Sequence, residues 1–224
     1  YTDEAIQFSG DFPTVAIESG FNKNPQMIMW DPATYPDVKE IADLGTENVT
    51  VRYFGGAAYM DFLTGTGLLS KGQVDGSYSG DPSLFIADEG KAAQQGFASS
   101  EPYLYENELT DWGKPVAYAY INDAGWQNYG QSIATRPENI ETYSACFEKL
   151  VPLIQQSSVD YLTDPTHGND VLIAAVNAFG GDATNLPAAH GVNVCDWDDL
   201  SSSAAGVWKI EIARGGTGGQ GNAF

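Results

Sequence analysis

Apolar residues alternate or cluster along this chain in a way that predicts a succession of short strands and helices. Thr14–Ser19 and Gln26–Trp30 read as buried strands, separated by the turn-forming stretch Gly20–Pro25. Pro36–Leu44 reads as a short helix, with Pro36 near its start and Gly45 after its end. In Asn48–Leu63, Val49, Val51 and Tyr53 alternate as a strand, Gly55-Gly56 follow, and Ala57–Leu63 form a helical apolar run. A strand at Gln73–Ser79, a helix from Asp81-Pro82 to about Glu89 and a strand at Ala92–Ser99 complete the order αβαβαβ between residues 36 and 103. That order predicts parallel pairing. Val116–Ile121 is a further strand. Beyond it the spacing of Ile140, Tyr143, Phe147, Leu150, Val151 and Ile154 is helical, with Pro152 expected to kink or divide the run. Val171–Phe179 predicts another helix, stopped by Gly180-Gly181-Asp182. Val207–Ala213 alternates as a strand and runs into a glycine-rich tail. Thr2-Asp3-Glu4 resembles the start of a short helix.

Composition narrows the partners. The 224 residues carry a net charge of −20, a surface that repels phosphate backbones and anionic membranes, so nucleic acid is not an expected partner. The same excess can equally be a solvation device. No run of 18 apolar residues is present. Cys146 and Cys195 are the only cysteines and are either one disulfide or two buried thiols. His167 and His190 lack metal-ligand spacing with them, so no metal and no cofactor are expected. Neither a Walker motif nor G-x-S-x-G occurs.

Parallel α/β sheets bind ligands at the carboxyl ends of their strands, and this rule selects the candidates. Gly55, Gly56, Ala57 and Tyr59 follow the strand in which Val49, Val51 and Tyr53 alternate. Their backbone N–H groups can face a ligand, or the glycines simply make a tight turn; Tyr59 is either a ligand contact or core. Glu101 is either an acceptor for a ligand amino group or a solvated loop carboxylate. Thr2 and Asp3 either cap a helix or touch ligand. Ser19 and Phe21 follow a strand, and Phe21 can stack on a planar ligand or fill core. Tyr118, Tyr120 and Asn122 share one face of their strand.

Several of these motifs together, QMIMWDP, the helix with Asp43-Leu44, VTVRYFGG, AAQQGFASSEPYLYE and ENIETYSACFEKLVPLIQ, resemble substrate-binding proteins of ABC importers over residues 1 to 200. The likeness is to the nitrate/sulfonate/taurine and thiamin-pyrimidine-precursor branch. It implies an α/β type II periplasmic-binding-protein fold, with two α/β lobes joined by a hinge and ligand held between them. Residues 1–30 and 122–224 would form part of lobe I, and 31–121 lobe II, with crossings near Met29–Pro32 and Ala119–Ile121. The family opens with further βα units, so the first lobe is expected to be incomplete. The stretch YTDEAIQFSG reads as the middle of a domain, and Trp208–Ala213 with its glycine loop resembles the family's opening strand. The implied function is extracytoplasmic (periplasmic or cell-surface) capture of a small-molecule solute, by a monomer without cofactor, for an ABC permease. Glu101 and the tyrosines favour a nitrogen heterocycle or amine; nitrate or a sulfonate remains open, because helix N-termini bind anions. Two alternatives stand beside it: an enzyme related to pyrimidine synthesis for thiamin, whose cysteine-rich iron motif is absent here, and a partial or engineered piece of a binding protein.

Overall fold

The computed structural model describes residues 2–178. The readings placed on Phe179–Asp182, Cys195, His190, the strand Val207–Ala213 and the glycine tail lie outside the described residues. The protein is mixed α/β with a mixed sheet, and it divides into two compact units. Among the described residues the first takes in 2–13 and Phe21–Ser132, and the second takes in Thr14–Gly20 and 133–178. Both strands expected as crossings therefore lie inside the first unit.

The first unit is built on a five-stranded sheet of order β4-β3-β5-β2-β6. Its strands are β2 (Gln26–Trp30), β3 (Val51–Arg52), β4 (Val74–Asp75), β5 (Ala93–Phe97) and β6 (Ala117–Tyr120). β3 pairs parallel with β4 and with β5, as the αβαβαβ order predicts. β2 is antiparallel to both β5 and β6. β6 therefore runs the same way as β5, and the carboxyl ends of β3, β4, β5 and β6 lie along one edge. The near-continuous apolar run of β2 is explained by burial on both faces. Ile28 and Trp30 join a cluster with Ile41, Leu44, Tyr59, Met60 and Leu63, while Met27 and Met29 join one with Phe85, Tyr105 and Val116.

Local chemistry shortens or shifts several predicted elements. Helix α2 spans Ile41–Thr46, not Pro36–Leu44, because the Asp43 carboxylate accepts the N–H groups of Lys39 and Glu40 at 2.8 and 3.0 Å and fixes the start there. Gly45 consequently lies inside the helix and does not terminate it. Its missing side chain admits the next segment: an ideal Cβ there would lie 2.0 Å from the Leu68 carbonyl oxygen. Strand 73–79 reduces to Val74–Asp75 plus a single bridge between Ser77 and Phe54. Helix α3 is Ala58–Gly65, and α4 is Ser83–Ala87. After α5 (Glu101–Tyr103) the chain makes an unforeseen π-helical turn over Leu104–Glu108.

The end of β2 is pinned by a buried charge. Asp31 is 2 % exposed and accepts from the Ala33 N–H, the Thr34 hydroxyl and the Lys114 ammonium at 3.0, 2.9 and 2.9 Å. Lys114 precedes β6 and sits 4.1 Å from the centre of the Trp112 ring. Gly90, at φ +71, lets Asp31 and Trp112 close over it, since an added Cβ would stand 2.7 Å from each.

The second unit carries the five-residue strand β1 (Val15–Ser19), paired with β7 (Ser132–Thr135), which begins at the unit boundary and which the residue pattern does not predict. Helices α6 (Pro137–Thr142), α7 (Ser144–Thr163) and α8 (Thr166–Ala178) follow. The expected division at Pro152 is not observed. α7 runs through it, and the break comes at Tyr143 instead. Pro152 and Glu148, whose carbonyl the proline cannot bond, are both exposed, so that carbonyl is not stranded in the core. Cys146 on α7 is disulfide-bonded. Among the described residues no helix is long and apolar enough to cross a membrane.

Candidate functional site

The carboxyl edge of the first unit's sheet gathers most of the residues selected from the sequence. β3 leads into Gly55 and Gly56, and Ala57 then caps the eight-residue helix α3. The glycines have structural reasons for being there. A Cβ on Gly55 would lie 3.0 Å from the Gly76 carbonyl oxygen of the neighbouring loop, and Gly56 adopts φ +87. Backbone thus presses on backbone where β3 and β4 end, and α3 starts at the same edge, where the Ala57 and Met60 N–H groups already bond the Phe54 and Ala57 carbonyls.

Beneath these groups Tyr59 is 2 % exposed, and its hydroxyl donates to Gln95 Oε1 at 2.6 Å. The Phe54 N–H donates to the same oxygen at 3.1 Å. Burial, with lesser contributions from Tyr53 and Tyr78, holds the Tyr59 phenol well above its usual range, so it is a neutral donor. Tyr59 thereby serves to position Gln95. Replacing Gln95 with leucine leaves both donors buried without an acceptor and is expected to cost about 2 kcal/mol; faster hydrogen exchange at the Phe54 amide would register it. Tyr59→Phe, which spares the Phe54 bond, should cost about 1 kcal/mol.

Glu101 stands at the end of β5. Its Oε2 accepts from the Phe97 N–H at 2.8 Å and from the Ser100 hydroxyl at 2.6 Å, and Gly96 is small enough to let its side chain lie across the strand. Among the described residues no cation pairs with it. Tyr78, reached from β4, packs its ring 4.9 Å from that of Phe54. It is 8 % exposed, and its hydroxyl has no hydrogen-bond partner among the described residues. Burial, then the charges of Glu101 and Asp81, push this phenol up to about 12. Tyr78 and Gln95 were not selected from the sequence. The available signal was two glutamines inside an otherwise apolar strand and a tyrosine just past a strand end.

Further along the edge, Tyr120 packs on the Met27 cluster under the Lys23 ammonium, which sits 4.3 Å from its ring centre and is paired to Asp123 at 2.7 Å. Burial first, then Tyr118 and Asp123, raise the Tyr120 phenol. Asn122 is half-buried in the turn that follows, its carbonyl accepting from the Gly125 N–H. Thr2 and Asp3 belong elsewhere in the unit. Thr2 exchanges hydrogen bonds with the Tyr129 backbone, and Asp3 Oδ1 is enclosed without a partner among the described residues. Phe21 is half-buried in the first unit, while Ser19 closes β1 in the second. Among the described residues no group of three or more His, Cys, Asp or Glu side chains could hold a metal ion. No protein-family model and no curated protein matches the chain, so the chemistry of this edge is read from its own geometry.

Proposed function

We propose that the protein is an extracytoplasmic solute-binding protein of the type II periplasmic-binding-protein fold, capturing a small molecule for an ABC permease. The observation that carries this reading is the sheet of the first unit. β2 and β6, the strands expected to enter and leave a lobe, lie side by side and antiparallel, with Met29 opposite Tyr118. The parallel strands β3, β4 and β5 are packed to one side of them. A sheet entered and left through two adjacent strands is the arrangement the type II reading expects of a lobe. Its carboxyl edge supplies what small-ligand recognition needs: aromatic area from Tyr53, Phe54 and Tyr78, and a few fixed polar groups at Glu101, Gln95 and the α3 amides.

Calorimetric titration against nitrogen heterocycles, amines, nitrate and sulfonates tests the reading. It predicts saturable binding of one solute class at one site per chain. Heat from none of them, or chemical turnover of any, would contradict it.

A further inference from the structure

We propose that the ligand group bound at this edge is a small protonated amine, held by the Glu101 carboxylate and the ring and hydroxyl of Tyr78. The inference rests on the solute-binding reading and narrows it. Three observations lead to it. Glu101 is preorganised: both donors from the protein go to Oε2, which leaves Oε1 without a hydrogen bond among the described residues. Tyr78 is more than nine-tenths buried, yet its hydroxyl is unpartnered among the described residues, and it is not one of the atoms sealed from solvent. A hydroxyl open to solvent on an otherwise enclosed side chain keeps its lone pairs available for a donor from outside. The half-buried rings of Tyr53 and Phe54 stand with Tyr78 at the same strand ends, an aromatic surrounding that favours a cation.

An anion fares worse there. Among the described residues the cations along this edge are already engaged: Arg52 bonds Asp88 at 2.5 Å and the Leu84 carbonyl at 3.2 Å, and Lys23 is paired with Asp123. The start of α3 offers an anion about half a positive charge, against the full negative charge of an unpaired carboxylate at Glu101. A protonated amine meets the carboxylate, the hydroxyl and the rings together. It gives each acceptor an N–H, which nitrate or a sulfonate cannot do.

Isothermal titration of the whole chain with benzylamine, ethylamine, sodium nitrate and sodium ethanesulfonate decides it. Saturable binding of benzylamine, with neither anion binding, is expected. Glu101→Gln should weaken the amine about ten- to a hundredfold, and Tyr78→Phe should weaken it less. The glutamine retains an oxygen for the Phe97 N–H, so an unchanged circular-dichroism melt separates lost binding from lost folding. Equal amine affinity in Glu101→Gln would overturn the inference. So would binding of nitrate or ethanesulfonate in preference to the amines, an outcome that leaves the solute-binding reading standing. Silence toward all four probes overturns the amine inference as well, and the broader solute panel then judges the parent reading separately.

Discussion

Gly45→Ala is expected to destabilise the first unit by about 3 kcal/mol, whereas Gly65→Ala should leave it unchanged or stabilise it by up to about 1 kcal/mol. Both glycines sit in helices, and helix propensity alone favours alanine at each. Packing separates them. At Gly45 the new Cβ would lie 2.0 Å from the Leu68 carbonyl oxygen and 3.1 Å from its carbon, backbone atoms that cannot move without shifting the turn into Leu69. Leu69 is 1 % exposed, in the same cluster as Leu44 and Leu63, so the shift would propagate into the core. At Gly65 an added Cβ meets nothing within 4 Å. Hydrogen exchange at the Val49 and Leu69 amides, which bond to the Leu44 and Leu63 carbonyls, is a local readout for both variants. Equal exchange in the two variants would contradict the packing account.

Asp31→Ala is expected to cost about 3 kcal/mol, since a buried carboxylate with three donors is removed at once. The surviving Lys114 is 42 % exposed and recovers hydration, which keeps the cost below that of stranding a fully buried charge. The effect should depend on pH. Burial pushes the Asp31 carboxyl upward, but the hydrogen bonds from Lys114, the Ala33 N–H and Thr34, with the Lys114 charge, outweigh it, and the group sits below its ordinary 3.8. A depressed carboxyl stabilises the fold fully above the unfolded value, and the contribution is lost as pH falls through 3.8 and then through the lower folded value. Asp43 and Asp81 are held down by backbone and hydroxyl donors and add acid sensitivity of the same sign. The difference between wild type and Asp31→Asn, followed by thermal unfolding across that range, isolates the Asp31 part. A constant difference down to strongly acid pH would show that the ion pair contributes nothing.

Much of the first unit could be read from residue pattern. QMIMW is apolar on both faces and could only be a buried strand, and alternating periodicities predicted the parallel β3, β4 and β5. What escaped was set by contacts distant in sequence. A glycine near a helix end reads as a terminator, and only the approach of Leu68 shows that Gly45 is there for space. SIAT is too short and too mixed to predict β7; it becomes a strand because Val15–Ser19 pairs with it. Pro152 reads as a breaker, yet α7 continues through it, because Pro152 and Glu148, whose carbonyl it cannot bond, are both exposed. At the site, Glu101 and the Gly55-Gly56 turn were selected by the strand-end rule. Gln95 and Tyr78 escape the pattern because their roles lie in what they face: Gln95 accepts from Tyr59, 36 residues away in sequence, and Tyr78 is enclosed beside Phe54.

The central claim is that a solute binds at the carboxyl edge of the first unit's sheet. Amide NMR of the labelled protein, titrated with the tightest-binding solute of the calorimetric panel, tests it most directly. The account predicts saturable shifts concentrated at residues 54–58, 77–78 and 96–101. Shifts confined to the Asp31–Lys114 end of the sheet, or to the helices of the second unit, would contradict it.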